Sequence, residues 1–143
     1  MTTPWGTRPR FFAALQQALT EAVRHVAKYN TKGKEGETRA ERNARFKKGN
    51  LTPDMPEVPW QVEHVWAWYW EICDQRRSAM AGVEPIGWSD IHAWATLTQT
   101  LIHPEEVSML VAIDAAFRSE ISKEHAEQRA IDEAAKQGNP RPA

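Results

Sequence analysis

The sequence predicts an all-α protein: a compact three-helix block, preceded by an amphipathic helix on a charged, flexible linker. Three observations predict it. No segment alternates apolar and polar residues with period two for long enough to mark a strand. Apolar residues recur instead at spacings of three and four in four separate stretches. Six of the seven tryptophans, Trp60, Trp66, Trp68, Trp70, Trp88 and Trp94, fall between residues 60 and 94. Rings that large let a short segment bury as much apolar area as a longer ordinary one.

After a start punctuated by Pro and Gly, residues 11–29 read as the first helix. Phe11, Leu15, Ala18, Leu19, Ala22 and Val26 form a narrow stripe, which either docks on the core or waits for a partner's groove. Residues 1–30 are thus an N-terminal arm. Residues 31–58 are poor in apolar side chains and close with Pro53, Pro56 and Pro59, just past the segment's end. Such a segment buries too little to offset its ordering entropy, so it reads as a mobile linker. Within it, residues 38–48 read as a transient charged helix with Glu41 and Arg45 paired at i,i+4.

Residues 59–123 form the Trp-rich domain. In its first helix Val62, Val65, Trp66, Tyr69, Ile72 and Cys73 share one face, with Trp70 on one flank of the arc and Trp68 beyond the other. Gly82, Pro85 and Gly87 mark a connector. Ser89 is placed to cap the next helix, with Asp90 in its first turn and Ile91, Trp94, Ala95, Thr98, Leu101 and Ile102 on one side. His103-Pro104-Glu105-Glu106 is a helix start, because Pro suits the first helical position and carboxylates suit the positive end. Val107, Leu110, Val111, Phe117 and Ile121 form its buried stripe. Residues 124–143 read as a charged extension and a disordered Pro-rich tail.

The chain has 143 residues and a formal net charge of -1, which argues against a dedicated nucleic-acid binder. The one basic region, Lys28 to Lys48, sets eight basic residues against three acidic, a balance of +5. It leaves a nucleic-acid accessory role as an alternative. A single cysteine, Cys73, excludes an intrachain disulfide and a thiolate zinc site within one chain. No stretch approaches the roughly 18 apolar residues of a membrane span, and no signal pattern opens the chain. The expected compartment is the cytoplasm.

Chemistry is nearly silent. The five histidines form no HExxH pair and no i,i+3 or i,i+4 pair, Gly33-Lys34-Glu35-Gly36 lacks P-loop spacing, and Cys73 sits on an apolar face without a base. The sequence therefore predicts no catalytic residues, no cofactor and no metal. One charge stands out: Asp114 lies mid-stripe in the third helix of the block, with Arg118 one turn on. An isolated buried carboxylate costs several kcal/mol, so Asp114 must tie to Arg118, to Arg76 or Arg77, or to free N–H groups at a helix start. Trp66, Tyr69 and Trp94 are expected in the core. Trp68 and Trp70 read either as core or as partner contacts, and Phe11 and Leu15 join them as candidate contacts.

Three stretches carry a family likeness. Pro59-Trp60 through Val65-Trp66-Ala67-Trp68-Tyr69-Trp70-Glu71 is similar to an aromatic opening helix. Pro85-Ile86-Gly87-Trp88-Ser89-Asp90-Ile91-His92-Ala93-Trp94-Ala95 is similar to a "P-I-x-[WY]-x-[DE]-I-x-A-W" helix start. His103-Pro104-Glu105-Glu106-Val107, then Leu110 and Ile113-Asp114-Ala115-Ala116-Phe117, completes the set. Over residues 59–121 the chain thus resembles the tail assembly chaperones of tailed phages and prophages. The resemblance implies a non-enzymatic protein of the host cytoplasm that binds the tape measure protein and helps recruit the tail tube protein. It further implies absence from the mature virion. A structural virion or tail protein remains an alternative, and self-association stays open.

Overall fold

A computed structural model describes residues 4–31, 36–46, 52–76, 78–79 and 82–138. Among these residues the regular structure is helical apart from one two-rung antiparallel pair. The helices are α1 (Pro4–Tyr29), α2 (Arg39–Arg45), α3 (Glu63–Asp74), α4 (Trp88–Thr98) and α5 (Pro104–Gln137). A single 3-10 turn, Trp60–Val62, leads into α3. The connector between α3 and α4 holds β1 (Ser78–Ala79) and β2 (Gly82–Val83), with Ser78 opposite Val83 and Ala79 opposite Gly82. The expected disordered end at 139–143 and the side chain of Arg77 lie outside the described residues, as do Lys32, Lys34, Lys47 and Lys48 of the basic segment.

The core is not confined to the Trp-rich block. Leu15, Leu19 and Val23 of α1 join Val62, Val65, Tyr69, Ile72, Ile86, Ile91, Met109, Leu110, Ile113 and Ala116 in one buried cluster. The most extensive helix pairing in the molecule is α1 on α5. The face of α1 that docks is shifted by a residue or so from the predicted stripe. Val23 and Ala27 are buried with Leu15, Leu19 and Ala22, while Phe11 is half exposed and Val26 only partly covered. Small residues at Ala22 and Ala27 let the two helix backbones approach closely, and the three larger side chains fill the space between them.

Within the segment read as a linker, the charged helix expected at 38–48 is present as α2, and its cap and ion pairs hold it in place. Thr38 caps that helix reciprocally with Glu41: the Glu41 N–H donates to Thr38 Oγ1 at 3.1 Å, and the Thr38 N–H donates to Glu41 Oε2 at 2.8 Å. Arg39 then reaches Glu124 at 2.7 Å and Glu127 at 3.1 Å on α5. Burial works against the Arg39 charge, but these carboxylates outweigh it and hold its pKa above the ordinary value. Arg45 pairs with Glu37 at 3.0 Å instead of completing the expected i,i+4 pair with Glu41. A cap is worth about 1 kcal/mol and each partly exposed pair about 0.2–1 kcal/mol. Hydropathy counting sees neither.

Candidate partner-binding surface

The inner side of the block is organised by Asp114, which is 1% exposed. Of the pairings considered from the sequence, those to Arg76, to Arg118 and to an N–H ahead of a helix are made at once, and Arg77 lies outside the described residues. Arg76 Nη2 contacts Asp114 Oδ1, and Arg118 Nε donates to Oδ2 at 3.0 Å. The Ile86 N–H, just ahead of α4, donates to Oδ2 at 3.0 Å, and the Tyr69 hydroxyl donates to Oδ1 at 3.1 Å. One carboxylate thus ties the N-terminal third of α5 to α3, to the residues just after α3, and to the segment that launches α4. Arg76 Nη2 also lies 3.5 Å from Tyr69 Oη and 3.4 Å from Cys73 Sγ. Burial pushes the Tyr69 phenol well up and raises the Cys73 thiol, so both favour the neutral, hydrogen-bonding form. Burial opposes the Arg76 charge, but the Asp114 carboxylate and the hydrogen bond to Tyr69 favour it, and its pKa stays above the ordinary value.

Around this knot runs an aromatic layer. Trp66 meets Trp70 edge-on at 5.3 Å, Trp70 meets Phe117 at 5.8 Å, and Tyr69 meets Phe117 at 6.2 Å. Trp68 lies 4.8 Å from His64 and 5.4 Å from Trp94. Such pairs add about 0.5–1.5 kcal/mol each beyond area burial. Trp66, Trp68, Trp70 and Trp94 are all partly buried against the core, and Tyr69 is fully buried. Trp68 and Trp70 are therefore neither free nor fully enclosed. Leu15 is buried, so its side chain is committed to the fold, whereas Phe11 keeps an exposed edge beside a cleft that it shares with His64 and Glu106.

The exposed large apolar side chains lie elsewhere: Trp60 is 76% exposed, Trp88 77%, Leu97 83% and Leu101 82%. Trp60 opens the 3-10 turn after Pro59, and Trp88 is the first residue of α4 after Gly87. Each takes an outward position in an opening turn whose inward position goes to a smaller side chain, Val62 and Ile91 respectively. Leu101 was expected on the inner side of a helix continuing to Ile102. That helix ends at Thr98, where Gln99 turns left-handed at φ 53°, and the register breaks. Ser89 does not cap it either: Gly87 is the N-cap residue, and its N–H donates to Asp90 Oδ2 at 2.8 Å. Val111, expected in the stripe of α5, is also exposed.

α4 is the outcome of these shifts. Six of its eleven residues are apolar (Trp88, Ile91, Ala93, Trp94, Ala95 and Leu97), yet only Ile91 is buried. Between α4, the end of α3 and the segment before α4 lies a groove of about 500 Å³, floored by Ile72 and Ile86 and walled by Ala93, Trp94 and Leu97. No group of three or more metal-ligating side chains exists among the described residues. No helix among them is long and apolar enough to cross a membrane.

The described residues thus form an all-α scaffold with an ionic knot at Asp114 inside and a largely exposed apolar helix, α4, outside. A family model described as phage tail assembly chaperone matches residues 41–119, more than half of the sequence, and the chain belongs to that family. The match runs from within α2 to within α5 and leaves out α1. No curated protein and no solved structure matches the chain.

Proposed function

We propose that this chaperone acts in the host cytoplasm by covering apolar helical stretches of the tape measure protein and helping to bring tail tube subunits to it. It leaves before the virion matures and catalyses no reaction. The observation that carries this reading is α4, an apolar helix with a single buried residue, flanked by the exposed Trp88, Leu97 and Leu101. A long helical partner with apolar stripes aggregates when uncovered, and an exposed apolar helix beside a groove can shield such a stripe reversibly. Phe11 and the half-buried Trp68 and Trp70 extend the same role to the neighbouring faces. Co-expression with the tape measure protein, followed by pull-down, is the test. The expected result is a soluble complex; partner solubility unchanged by this chain would sink the proposal.

A further inference from the structure

The groove beside α4 carries an imbalance that the fold leaves standing. Its walls are apolar apart from Arg76, Trp94 and a rim of short polar and acidic groups. Arg76 Nε, Arg76 Nη1 and Trp94 Nε1 are buried and meet no acceptor. The Arg76 side chain is only 9% exposed, and its remaining nitrogen is committed to Asp114. The groove's own carboxylates do not fill the gap: Asp90 accepts from the Gly87 N–H, and Glu84 is exposed. Among the groove's lining residues Arg76 is the one cation, with Glu84 and Asp90 at the rim, so what is unmet is hydrogen-bond acceptance at the buried donors and not net charge. Three donors with no acceptor, two of them on a buried guanidinium, and apolar walls together define what is missing: an acceptor with apolar neighbours, for which a carboxylate is the strongest match to a guanidinium. α4 forms one wall and buries only Ile91, so little packing opposes the small outward shift that would admit such a group.

We propose that this groove takes an Asp or Glu side chain, flanked by apolar residues, from the tail-protein partner. Arg76 and Trp94 donate to its carboxylate, and Ala93 and Leu97 cover its apolar neighbours. The proposal rests on the chaperone reading above. It makes the groove a specificity device, because a purely apolar stripe would leave the buried donors unpaired and bind more weakly.

Trp94→Phe keeps the ring and deletes a donor that has no partner in the free chain. The loss of ring area against Trp68 offsets the relief of the unpaired donor, so the variant should melt within a few degrees of wild type while its capture of the tape measure protein falls about five- to tenfold. Leu97→Glu sets a carboxylate on the rim and should weaken capture further at low salt, again with little change in melting. The carboxylate is tested on the whole chain by NMR. The Trp94 indole N–H signal, identified by its loss in Trp94→Phe, should shift with 4-methylpentanoate and stay in place with 4-methylpentanamide. If both variants capture the partner like wild type, or if the acid and the amide act alike, the groove proposal is overturned and the chaperone reading stands. If wild type captures no partner, that reading falls and takes the proposal with it. Self-association that Trp94→Phe abolishes would make a second copy the occupant, which also overturns it.

Discussion

α1 and α4 stand in opposite relations to the core. α1 carries Gln16, Gln17, Glu21, Arg24 and Lys28 along its length, yet it buries Leu15, Leu19, Ala22, Val23 and Ala27. α4 is the more apolar helix and buries Ile91 alone. Composition therefore does not decide burial in this molecule. What decides it is whether the apolar residues line up over enough turns to meet a long partner, and α1 has 26 residues to do so where α4 has 11. Apolar residues that do not line up inward are left for something outside the fold.

The severest way to break the comparison is to remove α1. Burying a Leu or Val side chain contributes about 1.5–3 kcal/mol, so Leu15, Leu19 and Val23 together approach the whole net stability of a domain, about 5–15 kcal/mol. A chain lacking residues 1–29 should show no cooperative thermal transition, although it keeps the entire segment that matches the family. A sharp transition by calorimetry in that truncation would mean that α1 is an accessory and that the Trp-rich block holds a core of its own.

The next largest effect belongs to Asp114, which joins α3, α5 and the segment leading to α4. Asp114→Asn removes the only negative charge among two arginines, one of them almost fully buried. Leaving a buried charge without its partner costs about 3–5 kcal/mol, and chemical denaturation should report a loss of that size. A loss below about 1 kcal/mol, the scale of one ordinary hydrogen bond, would show that water already compensates Arg76.

Asp114 was also the most legible residue in the sequence. A carboxylate in the middle of an apolar stripe admits few solutions, and basic residues lay one turn away and at the end of α3. The starts of α3 and α5 were legible for similar local reasons, a proline and a pair of acids at the right offsets. The exposed surface was not. Trp60 and Trp88 read from the sequence only as members of an aromatic cluster, and a place right after Pro59 or Gly87 does not say which way a side chain faces: Val62 and Ile91 in the same turns are buried. Leu101 was lost because a glutamine, not the usual glycine, takes the left-handed residue that ends α4. The tie from Arg39 to Glu124 and Glu127 spans more than eighty positions, and no local pattern announces it.

Alkaline pH probes the α3 side of the core with a smaller effect. The folded state holds the Cys73 thiol and the Tyr69 phenol protonated above their ordinary values of 9.0 and 10.0, through burial first. The unfolded chain releases those protons near the ordinary values and the folded chain does not. Stability is therefore full below about pH 9 and falls as pH rises, more steeply above pH 10. Melting curves across pH 8–11 should show this decline. Cys73→Ala should delay its onset, and Tyr69→Phe should flatten its steeper part. A decline identical in both variants would assign it to other groups.

The smallest expected change in stability is the most telling for α4. Leu97 lies on a helix face that touches nothing within the described residues beyond the groove rim, so Leu97→Ser should shift unfolding free energy by no more than about 0.5 kcal/mol. Leu19→Ala, in the buried face of α1, should cost about 2–5 kcal/mol. The two leucines exchange rank when partner capture is measured. Leu97→Ser should release the tape measure protein at a concentration where the folded fraction of Leu19→Ala still holds it, because the first removes contact surface and the second removes only core. Should Leu97→Ser prove as destabilising as Leu19→Ala in the isolated chain, the outer face of α4 is already covered in solution. α4 would then belong with α1 as a core helix, and the partner would have to bind elsewhere.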